Sequence, residues 1–138
     1  TLRIAAESAA YTNFDSSLEG FVHKSNVLRQ HCADIGRDFD EIVRSANYDV
    51  FIGRDEAEAV ARRDRWLDTV APLVPPADLE RTKRNLANAL IGSPEQIVER
   101  LAAMRDVGLE YTIVFIADAA HDRSAVELFQ KEVIPALA

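Results

Sequence analysis

The chain has 138 residues, 48% of them hydrophobic and 28% charged, with a formal net charge of −7. That length fits one domain with a buried core, and an acidic balance with no Lys/Arg cluster free of interleaved acids excludes a nucleic-acid footprint. No apolar run approaches the roughly 18 residues a membrane helix needs, no signal peptide opens the sequence, and the lone Cys32 excludes an internal disulfide, so a reducing, cytoplasmic setting fits.

Thr1–Ala10 carries Leu2, Ile4, Ala5 and Ala9 at helical spacing with no cap ahead of it, and a chain that begins inside a helix reads as truncated. Tyr11–Phe14 is aromatic and β-branched, which predicts a short strand. Ser16 and Glu19 have capping-box spacing. They open a helix whose face, Leu18, Phe21, Val22, Ser25, Leu28, Cys32 and Ile35, repeats every 3.6 residues until Gly36 stops it. Cys32 falls on the apolar side and is expected in the core.

Phe39–Ile42 leads into a second strand, Val43–Ile52, ended by Gly53. Asp55 and Glu58 then open a charged helix over Glu56–Val70, and within it Arg62-Arg63-Asp64-Arg65 reads as a solvated face. Pro72, Pro75 and Pro76 break the chain. Ala77–Leu90 reads as a further helix, with Leu79, Leu86 and Leu90 on its apolar side.

The segment Ile91–Ala138 is fully punctuated. Ser93 is placed as an N-cap, Pro94 sits where a missing N–H costs nothing, and Gln96 completes a capping box. An amphipathic helix runs to Arg105, Gly108 leaves it at positive φ, an apolar strand follows over Tyr111–Ala117, and a helix closes the chain at Ala138. The order is α–β–α–β–α–α–α–β–α, which implies parallel strands joined by right-handed crossovers. Three such strands leave two open edges, so the chain reads as a single α/β domain, 1–138, that is a portion of something larger.

Several phrases in this order resemble one family. Thr1-Leu2-Arg3-Ile4-Ala5-Ala6 with Tyr11-Thr12-Asn13-Phe14 is similar to the helix and strand after the glycine-rich turn of luciferase-like oxidoreductases. His31-Cys32-Ala33-Asp34-Ile35-Gly36-Arg37-Asp38 with Glu41-Ile42 resembles that family's phrase before the next strand. Ile91-Gly92-Ser93-Pro94-Glu95-Gln96, Arg100-Leu101, Gly108 and the ending Glu127-Leu128-Phe129 to Glu132-Val133-Ile134-Pro135-Ala136-Leu137 resemble its C-terminus. The chain departs from the family at Glu7 and Ala10, where a basic residue and an Asp are common, so no contact is carried over there.

The resemblance implies the C-terminal part, about the last three β/α units, of a TIM (β/α)8 barrel of about 250 residues or more. It implies a luciferase-like oxidoreductase or monooxygenase acting on a small-molecule substrate with reduced deazaflavin (coenzyme F-420) or FMN. It also implies that the first β/α units, which carry much of the cofactor pocket, lie outside this chain. The chain alone is then expected to be inactive, and to be a homo-oligomer or to lack an N-terminal barrel portion.

In such a barrel the strand ends carry the chemistry. Asn13, at the end of the first strand, is a candidate cofactor or substrate contact, against the alternative of an amide that stabilises the following turn. Thr1 is a candidate cofactor-binding residue at a helix N-terminus, against the alternative of a frayed chain start. Asn47 and Asp49 make one face of the second strand polar, either barrel lining or a solvated edge. Asp118 and His121 have the look of an acid/base pair, but a turn with an exposed His121 is the preferred reading. His23 and His31 miss the ligand spacing of a metal site. The rival to the enzyme reading is a non-catalytic α/β module that self-associates, or completes a partner barrel, through its open strand edges.

Overall fold

The computed structural model describes all 138 residues. In chain order they form α1 (Leu2–Ser8), β1 (Tyr11–Phe14), α2 (Leu18–Ile35), β2 (Val43–Ile52), α3 (Glu56–Val70), α4 (Pro76–Asn85), β3 (Leu90–Gly92), α5 (Pro94–Asp106), β4 (Tyr111–Ile116), α6 (Ser124–Leu128) and α7 (Ile134–Leu137). No helix is long and apolar enough to cross a membrane. Two compact units divide the chain: Thr1–Asn47 with Met104–Ile113, and Tyr48–Ala103 with Val114–Ala138.

In the first unit β1 pairs in parallel with the start of β2, from Tyr11↔Val43 to Phe14↔Ala46. The N-cap of α2 is Ser17, one residue later than the spacing of Ser16 and Glu19 implies. The Asp15 carboxylate accepts from both the N–H and the hydroxyl of Ser17, which leaves the Ser17 oxygen to accept from the Gly20 N–H. Phe21, Ser25, Leu28 and Cys32 are buried as their period predicts, and Phe14 meets Phe21 edge to face at 5.5 Å. Gly36, at φ 70°, ends the helix. Arg37 then turns back to donate to the carbonyls of Ala6 and Ala9 at the end of α1, and to that of Ala5, which also accepts from the Ala9 N–H.

Arg44 is the second structural cation of this unit. It is buried and donates through Nη2 to Glu110 at 2.6 Å. Its guanidinium lies 4.4 Å from the centroid of the Phe39 ring, and that of Arg29 lies 4.0 Å from it. Gly108, at φ +100°, lets the chain pass: a Cβ there would come within 3.1 Å of Arg44 Nη1.

In the second unit β3 pairs in parallel with the end of β2, from Val50↔Leu90 to Ile52↔Gly92. This strand is additional to the three that the sequence pattern predicts. Ala77–Leu90 does not continue as helix: α4 ends at Asn85, a short 3₁₀ turn covers Leu86–Asn88, and Ala89 is extended. The Arg100 side chain holds that exit by donating to the carbonyls of Ala89 and Asn88. Leu86 and Ala89 pack on Phe51 with Trp66 and Leu67. β4 pairs with β2, which completes a four-stranded sheet.

The capping box is as read, with Ser93 N–H donating to Gln96 Oε1 and Gln96 N–H to Ser93 Oγ. The closing helix is not continuous, because Phe129–Val133 winds as a π-turn between α6 and α7. Pro135 accounts for it, since it has no N–H to give and its ring crowds the carbonyl four residues back.

Gly53 marks a close approach of the chain to the backbone of the following helix. A Cβ there would lie 2.6 Å from the backbone nitrogen of Ala59, in the first turns of α3. The substitution Gly53→Ala is therefore expected to cost about 1–3 kcal/mol through overpacking, read as a lower urea midpoint at unchanged m-value.

Candidate functional site

The most concentrated group of ionised side chains lies in the second unit, at the C-terminal end of β4. α3 puts Glu58 and Arg62 one turn apart on the face that also buries Ala59. The Arg62 guanidinium donates through Nη1 to Asp118 Oδ2 at 2.9 Å and Asp122 Oδ2 at 3.1 Å. Through Nη2 it donates to Ser124 Oγ at 2.7 Å and Glu58 Oε1 at 3.2 Å. Arg62 is only 6% exposed, so the reading of its basic run as a solvated face is wrong at this position and right at Arg65. Its partners Asp118, Asp122 and Ser124 come from the far end of the chain, so no local pattern announces them.

Burial works against the charge of Arg62, but its bonds and proximity to Asp118 and Asp122 outweigh that and hold it protonated. The Glu58 carboxyl is pulled down to about 2, first by the side-chain and backbone N–H bonds from Arg54 and further by Arg62. Asp122 is lowered as well, because its carboxylate accepts from the Ser124 N–H and hydroxyl. Glu58, Arg62 and Asp122 are thus ionised at neutral pH. Arg62 Nε and Asp118 Oδ1 remain buried without a partner.

Grooves open on both sides of this cluster. One, of about 550 Å³, runs between Trp66, Val70 and Leu73 on one wall and Asp118, His121 and Asp122 on the other. The second, of about 400 Å³, is lined by Arg54, Glu58, Ser124 and Lys131 among others. His121 is exposed in the first groove. Asp118 gives its carboxylate to Arg62 and not to His121, so the two do not form an acid/base pair. Asp122 fixes the turn into α6 by accepting from the Ser124 N–H.

Thr1 and Asn13 belong to the first unit. Thr1 precedes α1 and is exposed, its carbonyl accepts from the Ala5 N–H, and its hydroxyl makes no capping bond. Asn13 is exposed on β1, in register with Ser45, whose hydroxyl donates to the Thr12 carbonyl. Asn47 is exposed, and Asp49 is half-buried with its pKa pushed up by that burial. No group of three or more His, Cys, Asp or Glu side chains is placed to hold a metal ion.

The N-termini of α2, α3 and α5 are capped by this chain's own side chains. Ser17 caps α2, Asp55 caps α3, and Ser93 with Gln96 caps α5, with Glu19, Glu56, Glu58 and Glu95 in the first turns. An incoming phosphate would meet occupied donors and like charge. These turns do not fit the phosphate group of a cofactor.

Replacing Arg62 leaves Asp118 facing no cation. Arg62→Met is expected to lower stability by about 3 kcal/mol at neutral pH, and the double variant with Asp118→Asn to recover much of that, in urea titrations. The value sits at the low end for a buried pair because Asp122 is 53% exposed and can turn to water. Acid sensitivity follows from Glu58. Folding favours its ionised form, so its stabilisation is complete above the ordinary value of 4.5 and drains away as pH falls toward about 2. Glu58→Gln is expected to flatten that acid limb of the stability curve.

No protein-family model matches the chain, and no curated protein sequence matches it. Solved structures do. A coenzyme F-420-dependent tetrahydromethanopterin reductase from Methanopyrus kandleri superposes with a TM-score of 0.71 at 21% identity, over 99% of this chain and 48% of that one. A long-chain alkane monooxygenase gives 0.72 at 15% identity, over 99% and 38%. An F-420-dependent secondary alcohol dehydrogenase, solved with an F-420–acetone adduct, gives 0.69 at 13% identity, over 99% and 46%. This chain spans less than half the length of each of these proteins. Its fold is that of the C-terminal part of the luciferase-like TIM barrels.

Proposed function

We propose that this chain is the C-terminal arc of a luciferase-like oxidoreductase that carries out hydride transfer or monooxygenation with reduced F-420 or FMN. One observation carries the reading: nearly the whole chain superposes on under half of several proteins named as F-420-dependent reductases or monooxygenases. Family phrases in the same order along the sequence support it. The reduced ring supplies the hydride when bound, and the protein supplies position and electrostatics.

The residues here fit only part of such a cofactor. Asn13 offers a free, exposed amide beside the end of β1, suited to the polar rim of a ring. Thr1 offers an exposed hydroxyl ahead of α1. The capped and acidic turns into α2, α3 and α5 offer nothing to the phosphate, so its binding falls outside them. In the second unit, Arg62 holds the Asp118–Ser124 turn in one shape after β4.

The expectation is an arc that is inactive alone. Titration of this chain into F-420 or FMN, followed by cofactor fluorescence, is expected to show no saturable binding and no turnover with alcohol or aldehyde substrates. Micromolar binding together with turnover would sink the reading of an incomplete arc. The reading frame upstream of the Thr1 codon is a second check: a strand ending in a Gly-Gly turn is expected there, and a start codon in its place overturns the assignment.

A further inference from the structure

Among the acidic side chains, Asp15, Asp49, Glu58 and Asp118 are half-buried and the rest are exposed. Three of these four carboxylates have donors and a cation. Asp15 accepts from Ser17 and faces Lys24 at 3.7 Å, Glu58 accepts from Arg54 and Arg62, and Asp118 accepts from Arg62. Asp49 has neither donor nor cation within this chain, and burial alone acts on its carboxyl, pushing the pKa up.

The place of Asp49 on β2 gives the reason. Arg44, Ala46, Tyr48, Val50 and Ile52 are all buried, so this chain covers that face of the strand along its whole length. On the opposite face Phe51 is fully buried against Leu86, Ala89 and Trp66, but Asp49 is only partly covered. A strand of a parallel barrel is covered on both faces, by helices on one and by the barrel's own interior on the other. In the arc reading, on which this inference rests, the face of Asp49 is the interior one and closure of the ring buries it further. Phe51, the next residue on that face toward the C-terminal end, separates Asp49 from the mouth where barrel chemistry is arranged. The carboxyl is thus part of the barrel core.

We propose that the rest of the barrel carries a cationic side chain, arginine or lysine, on its interior face against Asp49, and that this ion pair joins the arc to the strands it closes with. A carboxylate enclosed by protein is retained only when it is paired and hydrogen-bonded. This chain meets that demand with arginine elsewhere, Arg62 on Asp118 at 2.9 Å and Arg44 on Glu110 at 2.6 Å. A guanidinium is weakly hydrated and brings five donors, which suits it to a buried pair. Charge points the same way, since a chain of net −7 is complemented by a positive group on the part it meets.

The test compares the complete polypeptide, continued upstream of Thr1, with the 138-residue chain by itself. Isotope labelling of the aspartate carboxyls lets NMR follow Asp49 through a pH titration in both. Its midpoint is expected above the ordinary 3.8 in the chain alone and below 3.8 in the complete protein. Replacing the paired cation with Met is expected to lower the urea midpoint of the complete protein and to send the Asp49 titration upward, and adding Asp49→Asn to recover much of the lost stability. In the chain alone, Asp49→Asn is expected to leave the urea midpoint unchanged or raise it. An Asp49 that titrates higher in the complete protein than in the chain alone overturns the pairing, because the carboxyl is then held neutral, and it leaves the arc reading standing. An upstream sequence without barrel strands overturns both.

Discussion

The loop after β4 depends on one guanidinium. Arg62 is buried among Glu58, Asp118, Asp122 and Ser124, and a cation in that position is tolerated only because all four Nη donors are used. The desolvation cost of such a group runs to several kcal/mol, and the return comes from geometry, not from attraction alone. That return is conditional on the turn Asp118–Ser124 keeping its shape. The pair of a helix and a distant loop is therefore held in one arrangement, and the wall of the groove beside Trp66 inherits its rigidity from it. A surface ion pair between Arg63 and Asp64, one residue further along α3, does nothing comparable because both partners can reach water.

The same device appears at the other end of β4. Arg44 reaches Glu110 just before the strand and rests on the Phe39 ring, which also faces Arg29. In TIM barrels the N-terminal ends of strands are where stability is built, and the C-terminal ends are where chemistry is arranged. Arg44 belongs to the first kind of end and Arg62 to the second. Their buried states look alike, and Arg62 also lines two grooves.

How much of this was legible in the sequence depends on the range of the interactions. β1, β2 and α3 fall where alternation, period and caps place them, because those signals are local. The capping box of Ser93 and Gln96 and the positive φ of Gly108 are local too. β3 escaped notice because it is three residues long and made by its surroundings: Arg100 draws the carbonyls of Asn88 and Ala89 out of helical geometry, and Phe51 supplies the core for Leu86. Arg62 escaped for the same reason, since a run of Arg-Arg-Asp-Arg looks identical whether its first member faces water or two distant acids. The family phrases did better than either, because they encode long-range context that composition and spacing cannot.

That distinction bears on β4. Its sequence, Tyr-Thr-Ile-Val-Phe-Ile, reads as a strand buried on both faces, as an inner strand of a parallel barrel should be. In this chain both faces are only partly covered. A strand with this composition has no intrinsic means of remaining unpaired, since each free N–H and C=O at its edge is compensated only by water while the side chains beside them gain by leaving it. The mismatch between an interior sequence and an edge position is thus a driving force.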